Sequence, residues 1–199
     1  SPLMVEKQGF KHFMLKEIYE QPQVIRDTLM GRISLDRGEV LLAETGIPEK
    51  IFRDVRKAVI IACGTSSHAG LIGKYFLESL AGIPADVEYA SEYRYRDFIL
   101  EKDALVIVIS QSGETADTLA ALRAAKGRAA ATLAVTNAVS SSIARESQGV
   151  LYTHAGPEIG VAATKTFTAQ LTALALVALG LAQAKRFGTK EDRLAVIEE

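Results

Sequence analysis

Two apolar runs in this chain, Val59-Ile60-Ile61-Ala62 and Ala104-Leu105-Val106-Ile107-Val108-Ile109, each end in a short loop of glycine and hydroxyl residues, and each leads into a helical pattern. Val106 to Ile109 is apolar at every position, as a strand covered on both faces must be, and such strands belong to parallel sheets sandwiched between helices. The rest of the chain repeats the alternation. Apolar, β-branched segments predict strands over 58–62, 86–90, 104–109, 132–136 and 150–153, and helical spacing predicts helices over 67–81, 115–126, 140–146 and 164–187. The expected class is α/β, a three-layer sandwich in which a mostly parallel five-stranded sheet is flanked by helices. Ligands of such sheets bind beyond the carboxyl ends of the strands, where both hydroxyl loops fall.

The loops are Cys63-Gly64-Thr65-Ser66-Ser67 and Ser110-Gln111-Ser112-Gly113-Glu114-Thr115. A helix N-terminus presents unpaired N–H groups and the positive end of the macrodipole, so small hydroxylated residues there can wrap a phosphate without any lysine. Hydroxyls of Ser66, Ser110, Ser112 and Thr115, with the amides of Gln111 and Gly113, supply the donors. The alternative is that Ser112 or Thr115 merely caps the following helix; a second loop of the same kind favours the ligand.

Known nucleotide motifs fail. Gly64 is followed by no glycine until Gly70, which breaks the G-x-G-x-x-G fingerprint, and in Gly160-Val161-Ala162-Ala163-Thr164-Lys165-Thr166 a threonine stands where a P-loop needs the glycine before lysine. A phosphate monoester on a small polar molecule remains. The net charge of −1, with 24% charged residues interspersed, offers no basic face for nucleic acid and no polybasic segment for a membrane. The apolar run 169–182 is shorter than a span and reads as a buried helix. Cys63, the only cysteine, excludes an internal disulfide, fits a reducing cytoplasm, and reads as a buried core thiol rather than a nucleophile. His12, His68 and His154 lack metal-ligand spacing. Glu158 and Lys165 flank the 155–164 loop and either orient a substrate or stabilise the loop as a pair.

Residues 1–50 read as a helical leader, interrupted or restarted at Pro22, followed by a second helical piece within 36–50. The long helix 164–187 is apolar on more than one face, which predicts self-association as a two-fold dimer. The chain starts at Ser1 and stops within helix-like charge at Glu199, and is expected to be an excised piece of something larger.

Cys63-Gly64-Thr65-Ser66, Ser110-Gln111-Ser112-Gly113-Glu114-Thr115-Ala116-Asp117-Thr118 and Glu158-Ile159-Gly160-Val161-Ala162-Ala163-Thr164-Lys165 resemble the first sugar isomerase (SIS) domain of the glutamine–fructose-6-phosphate aminotransferase family. Phe13-Met14-Leu15-Lys16-Glu17-Ile18-Tyr19-Glu20-Gln21-Pro22 looks like that family's connection from its glutaminase domain. The resemblance implies a SIS fold over 51–199 and an enzyme that converts fructose 6-phosphate and glutamine to glucosamine 6-phosphate, with neither metal nor nucleotide cofactor. It further implies that Ser66, Ser110, Gln111, Ser112 and Thr115 hold the phosphate of fructose 6-phosphate, glucose 6-phosphate or glucosamine 6-phosphate, and that Thr65 and Val161 to Ala163 line the sugar. Ala163 stands where the family often has serine. The family's catalytic carboxylate, Schiff-base lysine and histidine belong to a second SIS domain, and its glutaminase cysteine precedes Ser1, so no catalytic residue is expected within this chain. A phosphosugar-sensing module and a stand-alone phosphosugar isomerase are the competing readings; for the latter only Glu158 and His68 offer themselves as acid or base.

Overall fold

In the computed structural model, which describes residues 6–198, the chain opens with helix α1 (Phe13–Leu29). Pro22 neither breaks nor restarts it. The carbonyl left without a partner by the missing Pro22 N–H is that of Ile18, and the side-chain amide of Gln21 donates to it at 3.1 Å. A two-stranded hairpin follows, β1 (Ile33–Ser34) and β2 (Glu39–Val40), then a short 3-10 turn (Ala43–Thr45) and helix α2 (Glu49–Asp54). The helical expectation for 36–50 is therefore corrected to a hairpin arm, a turn and the start of a helix. Gly38 closes the hairpin turn in the left-handed region with φ +61°, a geometry that two-residue strands on either side do not announce.

The remaining elements are β3 (Lys57–Ala62), α3 (Thr65–Ala81), β4 (Ala85–Tyr89), α4 (Ala90–Tyr93), β5 (Ala104–Ser110), α5 (Ala116–Ala125), β6 (Ala131–Thr136), α6 (Ser142–Glu146), β7 (Gly149–Tyr152), α7 (Lys165–Lys185) and α8 (Lys190–Glu198); they alternate as expected, with α4 and α8 added to the helices expected from the sequence. The five long strands pair in parallel in the order β4-β3-β5-β6-β7. Every residue of β5 is buried, because α-helices cover both faces. Ile60, Ala62, Ile107 and Ile109 face α3 and α7, whereas Val59, Ile61, Val106 and Val108 face α4, α5 and α6. Each buried isoleucine or valine among them contributes about 1.5–3 kcal/mol.

Helix α7 is 21 residues long with a mean hydropathy of 1.6, so length does not exclude a membrane span; its packing supplies the reason for its composition. It lies against α1, α2, α3 and the sheet, and thirteen of its residues are buried. The uncovered apolar face that its sequence suggests is thus filled within one chain.

Helix α1 joins this layer. Val24 packs with Ala155 and Ala169, and the buried Thr28 hydroxyl donates to the Val24 carbonyl at 2.8 Å and the Thr153 carbonyl at 2.6 Å. Arg32, 2% exposed, donates through Nη1 to the Thr28 carbonyl at 2.7 Å and through Nε to Glu44 at 2.5 Å. The leader's C-terminal end is in this way locked to the end of β7.

Candidate functional site

The strand order reverses direction between β3 and β5, so α3 and α5 leave the sheet on opposite faces and a crevice opens between the two strand ends. Ala62 pairs with Ile109 across these strands, which sets the loops 63–66 and 110–115 side by side. Two helix N-termini therefore flank one crevice.

The loop after β5 is held by its own hydroxyls and by the strand–helix unit that follows it. Buried Ser110 accepts the Gly113 N–H on its Oγ at 3.0 Å and shares a hydrogen bond with the Thr115 hydroxyl at 2.9 Å. Gly113 has φ +65°, and a Cβ there would lie 2.0 Å from Ser141 Oγ, so only glycine fits. The Gln111 carbonyl accepts from Asn137 N at 3.2 Å, and the Gly113 carbonyl accepts from Ile143 N at 3.0 Å. Exposed Ser112 accepts from Glu114 N at 3.2 Å.

Thr115 occupies the N-cap position of α5, but its side chain makes no capping hydrogen bond to the helix. The first helix-closing bond runs from Leu119 N to the Thr115 carbonyl at 2.9 Å, so the amides of residues 116–118 have no intrahelical partner. The capping alternative is thereby weakened for Thr115, whose hydroxyl turns to Ser110. Ser112 makes a local turn instead of a cap.

Two carboxylates beside this loop are drawn away from it. Glu114 accepts the Ser142 N–H at 2.7 Å, and that bond, with the Ser142 hydroxyl and Arg145, holds its pKa below the ordinary value. Asp117 pairs with Arg94 at 2.6 Å, which raises the guanidinium pKa. Neither negative charge is aimed at the loop hydroxyls, as an anion site requires.

The loop after β3 depends on another element. Gly64, with φ +56°, precedes α3, and Ser67 donates to the Gly64 carbonyl from both N, at 3.0 Å, and Oγ, at 2.7 Å. Half-buried Ser66 accepts a hydrogen bond from Gln170 on α7 at 3.0 Å, and Thr65 is exposed at the first helical position. Cys63 is half-buried at the strand end rather than buried in the core, and it borders the α4/α5/α6 side of the sheet.

The third segment, 155–164, joins β7 to α7. Asn137 links it to the β5 loop, since its Oδ1 accepts from Ala155 N at 2.8 Å and its Nδ2 donates to the Gly156 carbonyl at 2.7 Å. Val161 is fully exposed, Ala162 is exposed and Ala163 half-buried. Glu158 is no partner of Lys165. Its carboxylate accepts from Thr164 N at 2.9 Å, Thr164 Oγ1 at 3.1 Å and Thr166 N at 3.3 Å, and so caps α7 from outside. Lys165, buried at the unfavourable positive end of the same helix, pairs instead with Glu20 of α1 at 2.7 Å. His12, His68 and His154 are all exposed, and among the described residues no cluster of His, Cys, Asp or Glu could hold a metal ion.

Asn137, Gln170 and Glu17 are the residues that the loop motifs leave out. Asn137 directly follows a strand, which is the one signal available for it; Gln170 stands out only as a polar residue in an apolar helix, and Glu17 gives no local signal. A cavity of about 440 Å³ lies between β2, α2 and the end of α7, away from the crevice. Its amide side chain, Gln183, is engaged with both the N–H and the carbonyl of Val40, so it offers no comparable donor set.

A family model described as SIS domain matches residues 51–180. The chain is 60% identical over 169 residues to the glutamine–fructose-6-phosphate aminotransferase [isomerizing] of Aquifex aeolicus, an alignment spanning 85% of this chain and 27% of that protein. It is 54% identical over 182 residues to the protein of the same name from Symbiobacterium thermophilum, covering 92% of this chain and 30% of the relative. The structure of the C-terminal domain of glucosamine-fructose-6-phosphate aminotransferase from Francisella tularensis superposes with a TM-score of 0.90 at 43% identity, over 97% of this chain and 53% of that one. The chain spans about a third of the length of the curated relatives it matches.

Proposed function

The chain belongs to the SIS domain family, and from that premise we propose that it is the phosphosugar-binding part of the isomerase half of an amidotransferase making glucosamine 6-phosphate from fructose 6-phosphate and glutamine. The observation that carries this reading is the pair of loops at the ends of β3 and β5: one loop of hydroxyls at the N-terminus of α5, set beside a second hydroxyl loop at the N-terminus of α3. The similarity extends over 92% of the chain and so includes the leader, which favours the amidotransferase over a sensor module or a stand-alone isomerase.

In this reading the hydroxyls of Ser66, Ser110, Ser112 and Thr115 and the amide of Gln111 hold the phosphate, aided by the two helix dipoles. Thr65, Val161 and Ala163 border the sugar, with a methyl at 163 supplying no hydroxyl contact. The chain's own residues bind and orient; ring opening, isomerisation and ammonia delivery fall to further domains of the whole protein, a glutaminase domain and a second SIS domain. Residues 1–50 serve as the connection and 51–199 as the SIS domain. The protein works in the cytoplasm as a homodimer. Exposed apolar side chains on α1 (Met14, Leu15, Ile18, Tyr19) and α3 (Leu71, Ile72, Tyr75) support association through this side of the molecule, and light scattering measures it.

Titration calorimetry tests the binding role. Fructose 6-phosphate and glucose 6-phosphate should both bind, and inorganic phosphate should compete with them. A coupled assay on these 199 residues alone, supplied with glutamine or ammonia, should show no glucosamine 6-phosphate. Turnover approaching the common enzyme scale of about 10 s⁻¹ would refute the division of labour.

A further inference from the structure

Helix α1 presents three polar side chains toward the 155–164 loop and the first turns of α7, and they lie at helical spacing on one face. Glu17 accepts from Ile159 N at 2.6 Å and from Gly160 N at 3.1 Å. Glu20 pairs with Lys165, and Gln21 accepts the Thr168 hydroxyl at 2.6 Å. Glu17 is 2% exposed, although it is a carboxylate on the first turns of a helix near the chain surface. Burial of a charged group is costly unless fixed donors satisfy it, and here two loop amides do so.

Gly160 records the same contact from the other side. Its φ is not in the left-handed region, so glycine is not needed there for backbone conformation. A Cβ at this position would lie 2.5 Å from Glu17 Oε2 and 3.5 Å from the Met14 backbone. Glycine therefore serves the close approach of loop to helix. Of the residues immediately beyond it, Val161 and Ala162 are exposed and Ala163 is half-buried.

We infer that Glu17 is a positioning residue for sugar phosphate binding, holding the 155–164 loop in place over the crevice through the amides of Ile159 and Gly160. The inference rests on the proposed function, since it is the sugar that the loop is held to meet. It gives the leader helix a role beyond connection: any displacement of α1 moves the segment that borders the sugar while leaving the phosphate loop, which is held by its own hydroxyls and by the strand–helix unit that follows it, untouched. A loop released from its clamp spends only part of its time in the binding arrangement, and apparent affinity falls by that fraction.

The experiment compares Glu17→Ala and Gly160→Ala in the intact protein, with fructose 6-phosphate and inorganic phosphate as probes and amide hydrogen exchange across 155–164 as a second readout. Each variant should weaken fructose 6-phosphate about tenfold, leave inorganic phosphate within about twofold, and speed exchange at Ile159 and Gly160. The double variant should be little worse than either alone, because both break one contact. Should Glu17→Ala fail to fold, Gly160→Ala reaches the same hydrogen bonds by displacing the end of a flexible side chain. Equal losses for both probes, or faster exchange with sugar affinity unchanged, would overturn the positioning role. Wild-type protein that binds neither probe would refute the proposed function, and this inference with it, before any variant is compared.

Discussion

In the 110–115 loop the side-chain hydroxyls are answered by near neighbours, with Ser110 holding the Gly113 amide and the Thr115 hydroxyl, while the Gln111 and Gly113 carbonyls accept from Asn137 and Ile143 of the next strand–helix unit. In the 155–164 loop the partners come from far along the chain, with Glu17 standing 142 residues away from Ile159. Both loops lie at the carboxyl end of the same sheet. The difference teaches that a site can combine a part held by its own hydroxyls and the adjoining strand–helix unit with a part whose geometry waits for an element far away in the chain to dock.

The strongest challenge to the 110–115 half is Gly113→Ala. The added Cβ meets Ser141 at 2.0 Å in a left-handed backbone, so the loop must either strain or open. Stability should fall by about 3 kcal/mol or more, read as a shift in the urea midpoint, and phosphate binding should go with it. A near-neutral result would mean that the loop is not rigid, and the contrast with 155–164 would collapse.

Ser112→Ala and Thr115→Val probe the hydroxyls directly. Each should remove one charge-assisted hydrogen bond to the phosphate, costing roughly 1.5–3 kcal/mol or about tenfold or more in affinity, with a smaller change in melting temperature. Calorimetry beside thermal melts separates binding from capping: a cap would lose about 1 kcal/mol of stability and leave affinity alone.

Thr118→Val sharpens the same comparison three residues further on. The Thr118 hydroxyl is buried and has no hydrogen-bond partner among the described residues, so valine replaces it without losing an interaction seen there. Affinity should stay constant and stability should hold or rise by up to ~1 kcal/mol. The same exchange of threonine for valine is thus expected to act oppositely at positions 115 and 118.

The smallest effect belongs to Glu114, the outer anchor of the loop. Its bond from the Ser142 amide holds its native pKa below the unfolded value of 4.5, so the anchor's contribution is present above that value and fades as pH falls through the native one. Glu114→Gln should flatten this acid limb in melts taken from about pH 6 to about pH 3 while leaving neutral stability nearly unchanged. An unaltered acid limb would remove Glu114 from the wiring of the loop.

Much of this molecule is written locally. The apolar run 104–109 of β5 required two helical layers, and the order of strands and helices required parallel pairing, because a short chain reversal cannot join parallel neighbours. The hydroxyl loops at the ends of β3 and β5 were legible for the same reason: their donors, their glycines and the helix amides they expose are all within a few residues of one another. Other features had no local expression. Pro22 reads as a helix break until the Gln21 side chain is seen to satisfy the Ile18 carbonyl, and α7 reads as uncovered until α1, α2 and α3 are placed around it. Glu158 and Lys165 look like a pair in sequence, yet one caps α7 and the other reaches Glu20, since helix polarity places a carboxylate at the amide end and leaves the lysine to find a charge elsewhere. Glu17, Asn137 and Gln170 act on loops far from them in the chain. Hydrophobic period and backbone geometry act over one or two turns and can be read along the sequence, whereas partners for buried polar groups are chosen by packing, and only the tertiary structure decides which distant side chain arrives.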